Sequence, residues 1–139
     1  MIYSEQQLFS DHQAITATAR STNVIDLGAP GTPPGGVAPL AQDIGKGTPI
    51  PIRAQVTEAF NNLTSLTIAL EVGATDALGT VVASETIAAA DLVAGKYTNM
   101  QFLPAGVNAR YLGMRYTVNG TNPTQGQIHA GITMGNQTA

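Results

Sequence analysis

The chain has 139 residues, no cysteine, no tryptophan and a formal net charge of −3, with six lysines and arginines in total. One domain of that length buries roughly 68–70% of the surface its unfolded chain exposes, so a core is possible without staples. Disulfides and thiolate metal sites are excluded by the missing cysteine, and no basic stripe is present to replace counterions on a nucleic acid.

Charged residues make up 11% of the chain and hydrophobic residues 43%, against about 25% charged in a typical soluble domain. A chain this apolar is not a disordered polyelectrolyte. A surface so poor in charge fits an exterior largely covered by partners, because interface cores are depleted of charge. A β-protein with a neutral exterior is the plain alternative. No apolar run approaches the ~18 residues a membrane span needs. Met1-Ile2-Tyr3-Ser4-Glu5 has neither the basic nor the apolar region of a signal peptide, so neither a membrane partner nor secretion is expected.

Residues 1–13 are polar with a few apolar anchors and read as an N-terminal arm or a short strand. Weak alternation over residues 14–19 and the β-branched 24–27 segment predict extended chain. From 28 to 49 the character changes. Glycines at 28, 31, 35, 36, 45 and 47 and prolines at 30, 33, 34, 39 and 49 exclude a helix or an interior strand. A Pro/Gly-rich loop this long is uncommon in a compact domain and tends to be functional or disordered.

Alternation then returns. Residues 50–56 set Ile50, Ile52, Ala54 and Val56 against Pro51, Arg53 and Gln55. Residues 65–72 are the clearest strand, with Leu66, Ile68, Leu70 and Val72 on one side and Thr67, Ala69 and Glu71 on the other. Further strands are predicted over 80–87, 97–103, 110–118 and 127–134, with a helical turn near 88–95. Leu112, Met114, Tyr116, Ile128 and Ile132 join the first set as expected core residues. Tyr97, Phe102, Tyr111 and Tyr116 flank the turn at Pro104 and are expected to pack together across a hairpin. Short alternating strands with almost no helix indicate a single all-β domain over 1–139, a sandwich or barrel.

Catalytic residue types are sparse. His12 and His129 are the two histidines. His129 alternates away from the apolar side of its strand and is expected at the surface or an interface. Asp11 and His12 are neighbours, and neighbours on an extended strand point to opposite sides. A metal site needs at least three suitably placed ligands, and no recognisable spacing supplies them. Gly45-Lys46-Gly47-Thr48 lacks the leading glycine and the following helix of a phosphate loop. The carboxylates are scattered, so no catalytic residue, cofactor or metal ligand is assigned, and an enzyme is not expected.

One ordered set of stretches carries a resemblance. Leu8-Phe9-Ser10-Asp11-His12-Gln13-Ala14-Ile15-Thr16 leads to Ser21-Thr22-Asn23-Val24-Ile25-Asp26-Leu27-Gly28. Asp43-Ile44-Gly45-Lys46-Gly47, then Thr64-Ser65-Leu66-Thr67-Ile68-Ala69-Leu70, follow. Leu103-Pro104-Ala105-Gly106 then runs on to Arg110-Tyr111-Leu112-Gly113-Met114-Arg115-Tyr116. This order resembles the capsid cement (decoration) proteins of tailed bacteriophages, of the type found on a Bordetella podophage. The resemblance implies a jelly-roll-like antiparallel β-sandwich on the outer capsid surface of the virion, made in the bacterial host cytoplasm. It further implies a structural protein that clamps neighbouring major capsid protein subunits, with no catalytic residues. The stretch from Pro30 to Pro39 looks like an insertion relative to that family.

Physical reading and resemblance together give the expected partners: the major capsid protein and further copies of the chain, a dimer first and a trimer second. Closed symmetry would cover strand edges. Contact to the shell is expected through Ile2, Tyr3, Leu8 and Phe9 of the arm and Val37, Leu40 and Ile44 of the loop. A carbohydrate- or receptor-binding sandwich of a phage particle is the alternative function.

Overall fold

The computed structural model describes residues 2–136. Eight strands form two antiparallel sheets: β1 (Tyr3–Ala14), β2 (Ala19–Arg20), β3 (Ile25–Asp26), β4 (Ile52–Glu58), β5 (Leu63–Gly73), β6 (Thr80–Ala88), β7 (Tyr111–Gly120) and β8 (Gln127–Thr133). The smaller sheet has the order β1-β8-β4. The larger runs β2-β7-β5-β6, with β3 also on β7. Among the described residues, a single 3-10 turn, Ala89–Asp91, interrupts the strands. The antiparallel sandwich is the architecture that the period-two alternation predicts.

Its centre follows from that alternation. Leu66, Ile68 and Leu70 of β5 pack with Leu112, Met114 and Tyr116 of β7, all fully buried. Ile52, Ala54 and Val56 of β4 and Ile128 and Ala130 of β8 close the core from the other sheet. One buried polar link joins the sheets. The Tyr116 hydroxyl lies 2.7 Å from Ser10 Oγ, which donates to Gln13 Oε1 at 2.6 Å. The apolar surroundings push the Tyr116 phenol upward, because they disfavour its anion.

Several expectations are corrected. Of the two readings of the N-terminal segment, arm or short strand, the strand holds: Tyr3–Ala14 is the edge strand of the smaller sheet, hydrogen-bonded to β8, and not a free arm. Ile132 packs against the core but is only partly buried, and Met134 is exposed, so full burial on the inward row of β8 ends at Ala130. Residues 97–103 form no regular strand. They run along the free edge of β4 through two isolated bridges, Pro51↔Phe102 and Gln55↔Tyr97. The chain then crosses to the other sheet before β7, so the aromatic hairpin does not form. Tyr116 lies in the core, Phe102 is exposed, Tyr97 sits beneath Arg53 and Tyr111 beneath Arg110.

Residues 28–49 contain no strand or helix, as their composition predicts. The segment has two halves. Residues 29–41 are exposed throughout. Residues 42–45 are docked on the turn before β7. The Asp43 carboxylate accepts from the backbone N–H groups of Gly106 (2.9 Å) and Val107 (3.3 Å), and the Gln42 N–H donates to Asn108 Oδ1 at 2.6 Å. Gly45 permits the approach: a Cβ there would lie 1.8 Å from the Pro104 carbonyl oxygen.

Candidate functional site

The residues expected to contact a shell separate into two groups. Val37 is fully exposed and Leu40 is 61% exposed, both in the projecting half of the loop. Ile2 is 70% exposed. Phe9 is fully buried in the core, so its side chain is unavailable to a partner. Ile44 packs against the core. Leu8 is half-buried over Gly131, and Tyr3 is half-buried against His129. Alternation alone does not reveal which anchors a strand turns inward when that strand is bulged. Four exposed apolar residues lie outside the expected set: Val81, Val93, Phe102 and Met134. Met134 lines a shallow pocket with Ile2, Gly135 and Asn136, and Phe102 stands at the same end of the smaller sheet through its bridge to Pro51.

The projecting loop is stiff. Four prolines fall at 30, 33, 34 and 39. The Gly36 N–H donates to the Pro33 carbonyl at 2.8 Å, and the Leu40 N–H to the Gly31 carbonyl at 3.0 Å. The second bond closes residues 31–40 into a loop that carries Val37 away from the sandwich.

The outer face of the smaller sheet is polar and partly covered. Residues that alternate with the core positions of β4 and β8 point here, among them Arg53, Thr57, His129 and Thr133. Arg53 and Thr133 are buried, and the Arg53 guanidinium lies 5.1 Å from the centre of the Tyr97 ring. Tyr3 packs edge-on against His129, with ring centres 4.5 Å apart. Gly131 makes room for this covering, since a Cβ there would lie 2.9 Å from Leu8 Cδ2 and 3.0 Å from Leu8 Cα. The Tyr3 hydroxyl, Arg53 Nε, Thr57 Oγ1, His129 Nδ1 and Thr133 Oγ1 are buried without a hydrogen-bond partner among the described residues. Burial, with Tyr97 adding to it and Arg53 opposing, pushes the Tyr3 phenol up to about 12.

Asp11, His12 and His129 meet at the rim of this face, where one potential ligand atom from each lies within 4.8 Å of the others. Sequence alternation placed Asp11 and His12 on opposite sides of a strand. A bulge overrides it. Ser10 faces Ala130 and Gln13 faces Ile128, so three steps along β1 match two along β8. His12 absorbs the extra residue at φ 47°, a left-handed conformation for which histidine is among the more tolerant residues. The turn swings its ring back, and His12 Nδ1 lies 2.8 Å from Asp11 Oδ1. The imidazole of His129 comes across from β8, its ring centre 4.8 Å from that of His12. The His12 bond holds the Asp11 carboxyl below the usual carboxylate range. Burial pushes His129 below the usual imidazole range, nearby His12 adds to this, and Asp11 opposes it.

No helix among the described residues is long and apolar enough to cross a membrane. A family model described as Bbp16 matches residues 9–132. No curated protein matches the chain.

Proposed function

The chain belongs to the Bbp16 family, and on that footing we propose that it is a structural cement protein of a phage head. In this reading it binds the outside of the shell and reinforces contacts between major capsid protein subunits. It acts by shape and area rather than by catalysis, as a homo-oligomer, dimer or trimer. The family name suggests a Bordetella phage protein, in keeping with the resemblance carried by the ordered stretches from Leu8 to Tyr116.

The observation that carries the proposal is the projecting loop. Residues 29–41 are exposed throughout, yet carry apolar Val37 and Leu40 at the far side of a proline-stiffened, internally bonded segment. A stiff loop loses little freedom on binding, which lowers the cost of ordering it against a partner. The low charge of the chain, 11%, suits surfaces that are to be covered. Many copies on one shell would make weak individual contacts collectively strong.

The test is decoration of purified, expanded capsids, counting bound copies by sedimentation and gel densitometry. The intact chain should bind saturably at a fixed ratio to the major capsid protein. Val37→Ser with Leu40→Ser should weaken binding at least tenfold (about 1.4 kcal/mol) with the melting temperature unchanged. Failure of the intact chain to bind shells would remove the cement reading.

A further inference from the structure

We propose that Asp11, His12 and His129 form a binding site for a divalent first-row transition-metal cation of the zinc or nickel class, which clips the edge strand β1 to the central strand β8. This inference stands apart from the capsid reading and survives its failure.

The donor set points to the cation. Two imidazoles and one carboxylate suit zinc, nickel or copper, whereas calcium and magnesium favour all-oxygen sets. The spacing is suitable. At metal–ligand distances of about 2.0–2.2 Å, ligand atoms lie about 3.0–3.5 Å from one another. Asp11 Oδ1 is 2.8 Å from His12 Nδ1 and 3.4 Å from His129 Nδ1. The three ligand atoms lie within 4.8 Å of one another, so side-chain rotation has to close the widest gap for an ion to sit among all three.

Two further observations favour a ligand over a surface ion pair. His129 Nδ1 is buried without a well-formed hydrogen bond among the described residues, Asp11 Oδ1 lying 3.4 Å away. The His129 ring is also held in place by the edge-on contact with Tyr3, which limits the freedom lost when a cation binds. The opposite side is open. The Asp11 and His12 side chains are 72% and 57% exposed, so a cation enters without moving the sheet and completes its coordination with water.

The consequence is mechanical. Asp11 and His12 belong to β1 and His129 to β8. A bound ion cross-links the edge strand at its bulge, where the ladder is irregular. Binding to the folded chain then stabilises the docked strand by mass action.

These are the two histidines of the chain, so an untagged protein gives a clean test. After dialysis against EDTA, Zn²⁺ and, separately, Ni²⁺ are titrated calorimetrically into wild type, His12→Asn and His129→Gln. Asparagine tolerates the left-handed backbone at position 12, so His12→Asn keeps the bulge and removes the imidazole. The expected result is one ion per wild-type chain with Kd below about 100 µM, weakened at least tenfold in each variant. A hundredfold excess of ion over the wild-type Kd should raise the wild-type melting temperature by about 5–10 °C and that of His12→Asn by at most about half as much. Should His129→Gln fail to fold, His12→Asn decides alone. Absence of saturable binding in wild type, or binding that persists undiminished in His12→Asn, overturns the proposal.

Discussion

The N-terminal segment and the Pro/Gly-rich loop look alike in the sequence, as irregular stretches with spaced apolar anchors, yet they have opposite fates. Residues 3–14 contain no proline or glycine, so every backbone N–H is available to a ladder. The segment zips onto β8 and buries Phe9. Residues 28–49 carry five prolines, which remove ladder donors, and six glycines, which favour turns over strand. That segment stays out of both sheets, and its first half stands clear of the core. Availability of backbone donors, not the spacing of anchors, decides which segment joins a sheet and which stays outside.

That contrast breaks most visibly at Phe9. Phe9→Ala should destabilise the fold by about 3–5 kcal/mol, the usual cost of emptying a fully buried aromatic site. Replacing residues 31–39 with a Gly/Ser segment of equal length should cost less than about 1 kcal/mol, because exposed loop residues contribute little to the folded state. Urea unfolding of the two variants measures both. Equal losses would mean that the loop is as much a part of the fold as β1.

The boundary between the two halves of the loop is sharper still. Gly45→Ala should cost about 1–3 kcal/mol, because its Cβ would collide with the Pro104 backbone. Gly31→Ala meets nothing within 4 Å and should be neutral or slightly stabilising, since alanine reduces the freedom of the unfolded chain. Thermal melts of the pair locate the point at which docking begins.

Much of this was legible in the sequence. The unbroken period of Leu66, Ile68, Leu70 and Val72 fixed one face of β5, and those residues are buried. The proline density of 28–49 excluded regular structure there. β1 was harder to read because three register shifts interrupt its pairing, so no simple alternation survives in its sequence. The same irregularity hid the Asp11–His12–His129 cluster. The rule that neighbours diverge assumes extended backbone, and His12 at φ 47° departs from it. The burial of Arg53 was invisible too, because its cover comes from Tyr97, 44 positions along the chain. Long-range contacts of this kind leave no local period.

A smaller effect concerns the strand that leads into the loop. Asp26 in β3 accepts two bonds of 2.9 Å from Arg110 and a third from the Gly28 N–H. The Arg110 guanidinium, with the Gly28 bond, holds its carboxyl at about 2, below the usual value of 3.8. A carboxyl depressed in the folded state contributes stability above its unfolded value and loses it as pH falls. The contribution of Asp26 should therefore be constant above about pH 4–5 and decline as pH falls toward 2. Both side chains are solvent-exposed, so the effect is small and weakens with salt. NMR titration of the Asp26 carboxyl in wild type and Arg110→Gln measures it, with the variant returning toward the ordinary value.

The central proposal is that β1 serves the fold while residues 29–41 serve the contact with the shell. Amide hydrogen exchange of the chain, free and bound to expanded capsids, tests it most directly. The account predicts that β1 amides bonded to β8 are already protected in the free chain, and that binding adds strong protection across 29–41. Unchanged exchange in 29–41 on saturated capsids, with new protection confined to other surfaces, would contradict it.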